Sequence, residues 1–272
     1  LGSEGILGIF EFDMGNKTAT LLVGAGAVEN AWQPVINAIK ETTNRNIDAS
    51  NANCFFAQLI YLARFYSTID HPDAKYHLQV MLDNIAILKE QICHNLKEAQ
   101  RKSEIKARPE LELIISKFIT SKNNKAIIVS TNWDTVVENK VNTLYRFPEN
   151  KQIPCLHIHG DINSDIYLPS EITTEHYRSK EEDKNFGVKH SDFFRIIETT
   201  DILILYGISL SPLDAELLQV FYNIPNFVNQ IIIINPDHKS VANNISAIVE
   251  PNCKIKITGY HPSDLETEYN YR

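Results

Sequence analysis

Leu22-Val23-Gly24-Ala25-Gly26-Ala27-Val28 closes a short apolar run, Ala19 to Val23, in a turn of small residues. A helical pattern follows, because Trp32, Val35, Ile36 and Ile39 recur at i, i+3, i+4 and i+7 and so form one apolar stripe. An apolar strand, a glycine turn and an amphipathic helix, in that order, are the opening unit of a doubly wound α/β sheet. Glycines at such a turn let the backbone approach a pyrophosphate, and the helix N-terminus beyond it offers unpaired N–H groups and a positive dipole end. Gly-Ala-Gly alone also suits an ordinary strand-to-helix turn; its place at the first strand is what favours a nucleotide.

Working outward, apolar runs recur at Ala126 to Ser130, Cys155 to Ile158, Ile202 to Tyr206, Ile231 to Ile234 and Lys254 to Thr258. They are rich in Val, Ile and Leu and are bounded by Gly, Asn and Pro, as expected for parallel strands covered on both faces. The fold expected is α/β, a doubly wound, Rossmann-like and mostly parallel sheet with a helical insertion after the first βα unit. That insertion spans about 51–119, where no strand signal occurs. Met81, Ile85, Leu88, Ile92 and Leu96 mark one helical face there, and Phe55, Leu59, Leu62 and Tyr66 another. Pro72 and Pro109 divide the stretch into about three helices, too long for a simple crossover. The polar stretch Asp161 to Lys189 reads as a mobile loop or small lid. Residues 1–13 precede Met14, and Leu1-Gly2-Ser3 reads as an expression leader, so a single domain is expected over 14–272.

The chain has 272 residues, 34 acidic and 26 basic side chains, a net charge of −8 and 43% hydrophobic residues. That balance excludes a disulfide mini-scaffold and argues against a broad nucleic-acid face, which concentrates Lys and Arg. The patch Lys97 to Lys106 reads as a solvated helix face. Cysteines 54, 93, 155 and 253 never approach a C-x-x-C spacing, so no zinc ribbon is encoded locally. They are expected to be buried thiols in a reducing, cytoplasmic compartment. No apolar run reaches the roughly 18 residues of a membrane span.

The remaining polar motifs fall at strand ends. Ser130-Thr131-Asn132-Trp133-Asp134 follows the second long run, at the edge where open α/β sheets bind ligands. Asn132 offers a donor and an acceptor to a ribose or a water; equally, Asn132 or Asp134 is placed to cap the helix carrying Val136, Val137 and Val141. In His157-Ile158-His159-Gly160-Asp161, strand alternation puts His157 and His159 on one face. With no third ligand indicated, a metal is not expected; His159, beside a permissive glycine, reads as a general base or polar anchor, and His157 as a satisfied core residue. Tyr206-Gly207-Ile208-Ser209-Leu210 and Ile234-Asn235-Pro236-Asp237 each end a strand in what is, singly, turn chemistry.

Taken in order, Gly24-Ala25-Gly26, Thr131-Asn132-Trp133-Asp134, His159-Gly160, Gly207-Ile208-Ser209-Leu210 and Asn235-Pro236 resemble the signature series of sirtuin-like NAD-binding domains, over about 21–260. The kind resembled is divergent, bacterial and defence-associated. The resemblance implies that Gly24, Ala25 and Gly26 hold the NAD pyrophosphate. It implies that Asn132 and Asp134 sit by the nicotinamide ribose, that His159 is the catalytic base, that Gly207, Ser209 and Asn235 line the adenosine side, and that Thr131 and Leu210 also belong to the cofactor-binding set. Two family devices are missing: the zinc module with paired cysteines, and the long cofactor loop after the first turn, where this chain passes from Val28-Glu29-Asn30 straight into the Trp32 helix. The activity expected is therefore NAD hydrolysis to nicotinamide and ADP-ribose, as an effector of prokaryotic anti-phage defence. NAD-dependent protein deacylation and non-catalytic nucleotide binding are the alternatives. Asn132, His159 and Asp134 are the expected catalytic residues, NAD is the substrate and no metal is required. Control is expected through self-assembly or an activating partner, an ATPase, an Argonaute-like protein or another sensor, docking on 51–119.

Overall fold

A computed structural model describes residues 17–122, 125–145, 155–210, 215–250 and 253–271. The expected leader and Met14 lie outside the described residues. The long strands are β1 (Thr18–Val23), β4 (Lys125–Ser130), β5 (Cys155–His157), β6 (Ile202–Tyr206), β7 (Gln230–Ile234), β8 (Lys256–His261) and β9 (Asp264–Asn270). Two short strands, β2 (Val28–Glu29) and β3 (Lys106–Ala107), pair with each other alone. The sheet order is β5-β4-β1-β6-β7-β8-β9, parallel throughout except for the antiparallel β8–β9 pair. Counted among the parallel strands, this is third-second-first-fourth-fifth-sixth, so the direction of winding reverses between β1 and β6.

Alternation along the strands divides the core. Leu21, Val23, Ile204, Tyr206, Ile232 and Ile234 face one side, where α1 (Trp32–Thr43), α2 (Ala49–Ser67), α3 (Pro72–Arg101), α4 (Glu110–Phe118) and α5 (Val136–Tyr145) contribute to the core. Leu22, Leu203, Leu205, Ile231 and Ile233 face the other, beneath α6 (Lys180–Glu198), α7 (Ala215–Asn223) and α8 (His238–Ser246). The fold is thus α/β and Rossmann-like, with helices on both faces and the expected helical stretch after the first unit.

Several local expectations change. The helix after the first turn begins at Trp32 as expected, but a 3-10 turn (Ala25–Ala27) and β2 intervene, so Gly24-Ala25-Gly26 does not adjoin its N-terminus. On α2 the buried stripe is Ala52, Phe55, Phe56, Ile60 and Ala63, while Leu62 is exposed. This helix is apolar around much of its circumference, so spacing did not single out its inner face. On α3 the expected residues Ile85, Leu88, Ile92 and Leu96 are buried.

The last parallel strand begins at Lys256, two residues later than expected, and β9 was not anticipated because it buries only Leu265. The four cysteines are free, but Cys54 is exposed and the others are half-buried.

The stretch 161–189, expected to be a loop or small lid, is helical in its second part and ion-paired in its first. From Lys180 it is helical, opened by a capping box in which Glu182 N–H donates to Ser179 Oγ and Ser179 N–H to Glu182 Oε2. The preceding loop is clamped by buried ion pairs. Glu171, 1% exposed, meets Lys89 Nζ of α3 and Arg178 Nη1, each at 2.8 Å. Arg178 Nε also reaches Asp183 at 2.9 Å, and Arg64 Nε of α2 donates to Glu175 Oε2 at 2.9 Å. Among the described residues, no helix is long and apolar enough to cross a membrane.

Candidate functional site

The parallel strands deliver the polar motifs to one edge. Gly24 follows β1, Thr131 follows β4, His159 lies two residues past β5, Gly207 follows β6 and Asn235 follows β7. Because β1 lies between β4 and β6, the motifs adjoin, and hydrogen bonds join them side to side. Thr131 N–H donates to Val23 O at 3.0 Å, and Asn132 Nδ2 to Gly24 O at 3.2 Å. Gly26 N–H donates to Gly207 O at 3.0 Å, and Gly207 N–H to Ile234 O at 3.2 Å. Asn235 Nδ2 completes the series on Ile208 O at 2.9 Å.

The glycines have a structural cause of their own. A Cβ on Gly24 would lie 2.8 Å from Gly207 O, and one on Gly26 would lie 2.8 Å from Gly207 Cα. Gly207 itself has φ +67°, and its Cβ would lie 2.3 Å from Ala27 N. The space beside these residues therefore holds the protein's own backbone. Gly160 is similarly constrained, with φ +75° and a Cβ position 1.8 Å from Asp165 O.

The second motif divides its labour. Asp134, 4% exposed, accepts from Val136 N–H at 3.1 Å and so opens α5; of the two residues considered for capping, it is the one that does so. Burial raises its carboxyl to about 6, against the lowering effect of that N–H. Gln100 of α3 holds the same helix end, accepting from Thr135 N–H at 3.2 Å and donating to Thr135 Oγ1 at 2.8 Å. Asn132, 7% exposed, ties its amide nitrogen to the first turn, which leaves Oδ1 as its acceptor. Trp133 Nε1 donates to Tyr167 O at 3.1 Å and fastens the 161–179 loop to this strand end.

His157 and His159 do not act as a pair. β5 ends at His157, whose Nδ1 lies 2.8 Å from Asn132 O and whose Nε2 lies 2.8 Å from Glu138 Oε1. Both partners only accept, so both ring nitrogens carry protons and the ring is an imidazolium paired with Glu138. Burial pulls its pKa down, but the contacts with Cys155 and Glu138 outweigh that and lift it to about 11. The neighbouring Cys155 thiol is pushed up by burial. Glu138, Cys155 and His157 bring one ligand atom each within 4.8 Å of one another. Nε2 faces the Glu138 carboxylate at ion-pair distance, and Glu138 and Cys155 supply donors beside His157 that the sequence reading did not indicate. His159 is half-buried in the turn after the strand, and its carbonyl accepts from Tyr167 N–H at 2.9 Å.

On the adenosine side named by the resemblance, Ser209 is exposed and Leu210 is buried at φ +48°, its carbonyl held by Asn244 Nδ2 at 3.1 Å. Asn235 also accepts from Asp237 N–H at 2.8 Å, so its amide is taken up by backbone. An open groove of about 520 Å³ adjoins the β4 end, bordered by Gln100, Thr135, Glu138 and Ile162.

Sequence reasoning missed Glu138, Gln100 and Arg108. Arg108 Nε donates to Gly26 O at 2.8 Å and its N–H to Ala27 O at 3.0 Å, so it sits at the first turn although 82 residues separate it from Gly26. The signal available was an arginine directly before Pro109, which marks a segment end but not where that end lies. Compared with protein-family models and with curated proteins, the chain matches none of either.

Proposed function

We propose that the chain binds NAD along the carboxyl edge at the β1–β6 reversal and hydrolyses it to nicotinamide and ADP-ribose. The observation that carries this reading is the hydrogen-bonded series of strand ends from Thr131 and Asn132 through Gly24, Gly26 and Gly207 to Asn235, at the position where doubly wound sheets bind dinucleotides. The order of these motifs along the chain, with its resemblance to sirtuin-like domains, supports NAD as the dinucleotide. In the reaction, water adds to the ribose carbon as the bond to nicotinamide breaks, and one proton is released. His159 is assigned to accept that proton and Asn132 Oδ1 to orient the water. Asp134 acts through the start of α5 that it caps, beside Asn132.

Chromatography of an NAD digest tests the reading: nicotinamide and ADP-ribose should appear without any peptide and be lost in His159→Ala. Product formation only with an acyl-lysine peptide would replace hydrolysis by deacylation. A binding module without turnover is the second reading, favoured by the commitment of the Asn132, Asp134 and Asn235 side chains to backbone groups. Binding without products under every activating condition would select it.

The free cysteines support a cytoplasmic setting. A role in anti-phage defence rests on the resemblance alone. Control by self-assembly or by an ATPase, Argonaute-like or other sensor partner belongs to the same reading, supported by exposed Tyr61 and Phe65 on α2 and Tyr76 and Ile87 on α3. Full turnover by a dilute monomer, measured with light scattering over a concentration series, would refute that control.

A further inference from the structure

We propose that Arg108, fixed against the first glycine turn, grips a diphosphate group through the outer edge of its guanidinium. The inference deepens the nucleotide reading of this edge, on which it rests, by naming what holds the phosphates.

The other described arginines are committed elsewhere. Arg64 pairs with Glu175, Arg101 with Glu98, Arg178 with Glu171 and Asp183, and Arg195 with Asp192, while Arg45 lies over the Phe55 ring. Among the described residues, Arg108 has no carboxylate within 4.0 Å, in a chain whose net charge is −8. It is exposed, as is Gly26.

Its placement is enforced. The β2–β3 ribbon pairs Val28 with Ala107 and Glu29 with Lys106, which brings residue 108 beside the turn that precedes β2. The backbone bond to Ala27 O and the Nε bond to Gly26 O then fix the guanidinium from one side. With Nε used, the two terminal nitrogens remain as a planar fork, the geometry that meets two oxygens of a phosphate at once.

Neither of the nearby carboxylates, Glu29 and Glu110, forms an ion pair with Arg108 among the described residues. Glu29 is held by Lys106 Nζ at 3.4 Å. Tyr206, whose carbonyl accepts from Gly24 N–H, has a buried hydroxyl with no hydrogen-bond partner among the described residues, and Glu110, Arg108 and Glu29 are the charges acting on it. An anion at the turn would thus meet one unpaired arginine already held in place, so little side-chain freedom would be lost on binding.

Calorimetry with the whole chain provides the test, using inorganic pyrophosphate, ADP, ADP-ribose and adenosine as probes. Arg108→Met should weaken pyrophosphate, ADP and ADP-ribose by about 10- to 100-fold and leave adenosine unchanged, since one charge-assisted, two-pronged contact is lost. Arg108→Lys, which keeps the charge and loses the fork, should recover only a minor part and provides the second variant if Arg108→Met does not fold. Wild-type affinity for ADP in both variants, or wild-type protein that binds ADP no more tightly than adenosine, overturns the proposal. If pyrophosphate and ADP bind through Arg108 while NAD neither binds nor is cleaved, the anion site stands and the NAD reading falls. If NAD is cleaved with an unchanged KM in Arg108→Met, the reverse holds.

Discussion

Replacing Gly207 by alanine separates a glycine kept for backbone packing from one kept for a ligand. At φ +67° an L-residue pays about 1–2 kcal/mol. The new methyl would also lie 2.3 Å from Ala27 N and 2.4 Å from Gly26 C, so the two turns must part. Parting them breaks the 3.0 Å bond from Gly26 N–H to Gly207 O and strains the 3.2 Å bond from Gly207 N–H to Ile234 O, at about 1 kcal/mol each. The expected loss is about 3–4 kcal/mol, or about 10 °C in Tm for a domain of this size. Gly187, inside α6 with nothing within 4 Å of its Cβ position, supplies the opposite sign: Gly187→Ala should gain about 0.5–1 kcal/mol. Thermal and urea unfolding, with unchanged m-values, measure both. A Gly207→Ala protein with wild-type Tm would refute the packing account, and if it also failed to bind NAD the glycine would serve the ligand instead.

The remaining predictions concern charge and chemistry. His157 has its folded pKa raised from 6.5 to about 11, so its stabilisation is full below pH 6.5 and declines as pH rises toward 11. Wild-type stability should therefore fall between pH 7 and 9, and His157→Gln should abolish that slope; an unchanged slope in pH-resolved urea titrations contradicts the ion pair. Arg178→Met leaves Glu171 and Asp183 without their shared partner in a buried setting and should cost about 3 kcal/mol. It should also open 161–179 to limited proteolysis, and continued resistance there would show that the loop is held otherwise. On the proposed reaction, His159→Ala should lower NAD turnover by about 100-fold or more while the protein stays folded. Asn132→Ala should lower both turnover and stability, because it also releases Gly24 O.

How far the sequence could be read depended on the range of each interaction. The strands were legible because runs such as Ile202–Tyr206 and Gln230–Ile234 are buried on both faces, so composition alone marks them. Gly24, Thr131, Asn132, Gly207 and Asn235 were legible as strand-end residues, and the observed order sets their strand ends beside one another. Their individual partners were not, since bonds such as Asn132 to Gly24 span 108 residues. The clamp on 161–179 was illegible for a different reason: Glu171, Glu175 and Arg178 look like a solvated charged loop until Arg64 and Lys89 arrive from helices far upstream. The inner face of α2 was ambiguous because apolar side chains occupy most of its turns.

The antiparallel β9 has a consequence for solubility. A parallel sheet ending at β8 would present a row of open backbone donors and acceptors beside an apolar strand, a template on which a second chain can extend the sheet. β9 occupies that row with Asp-Leu-Glu-Thr-Glu-Tyr-Asn, of which only Leu265 is buried, and Lys256 Nζ fastens it to β8 through Glu268 at 2.9 Å. The outermost strand therefore offers an incoming chain carboxylates instead of a greasy face, and like charges on two such edges repel. Stripped of β9, the same fold would carry a sticky seam, and its tendency to form sheet-extended aggregates would rise with protein concentration and with salt.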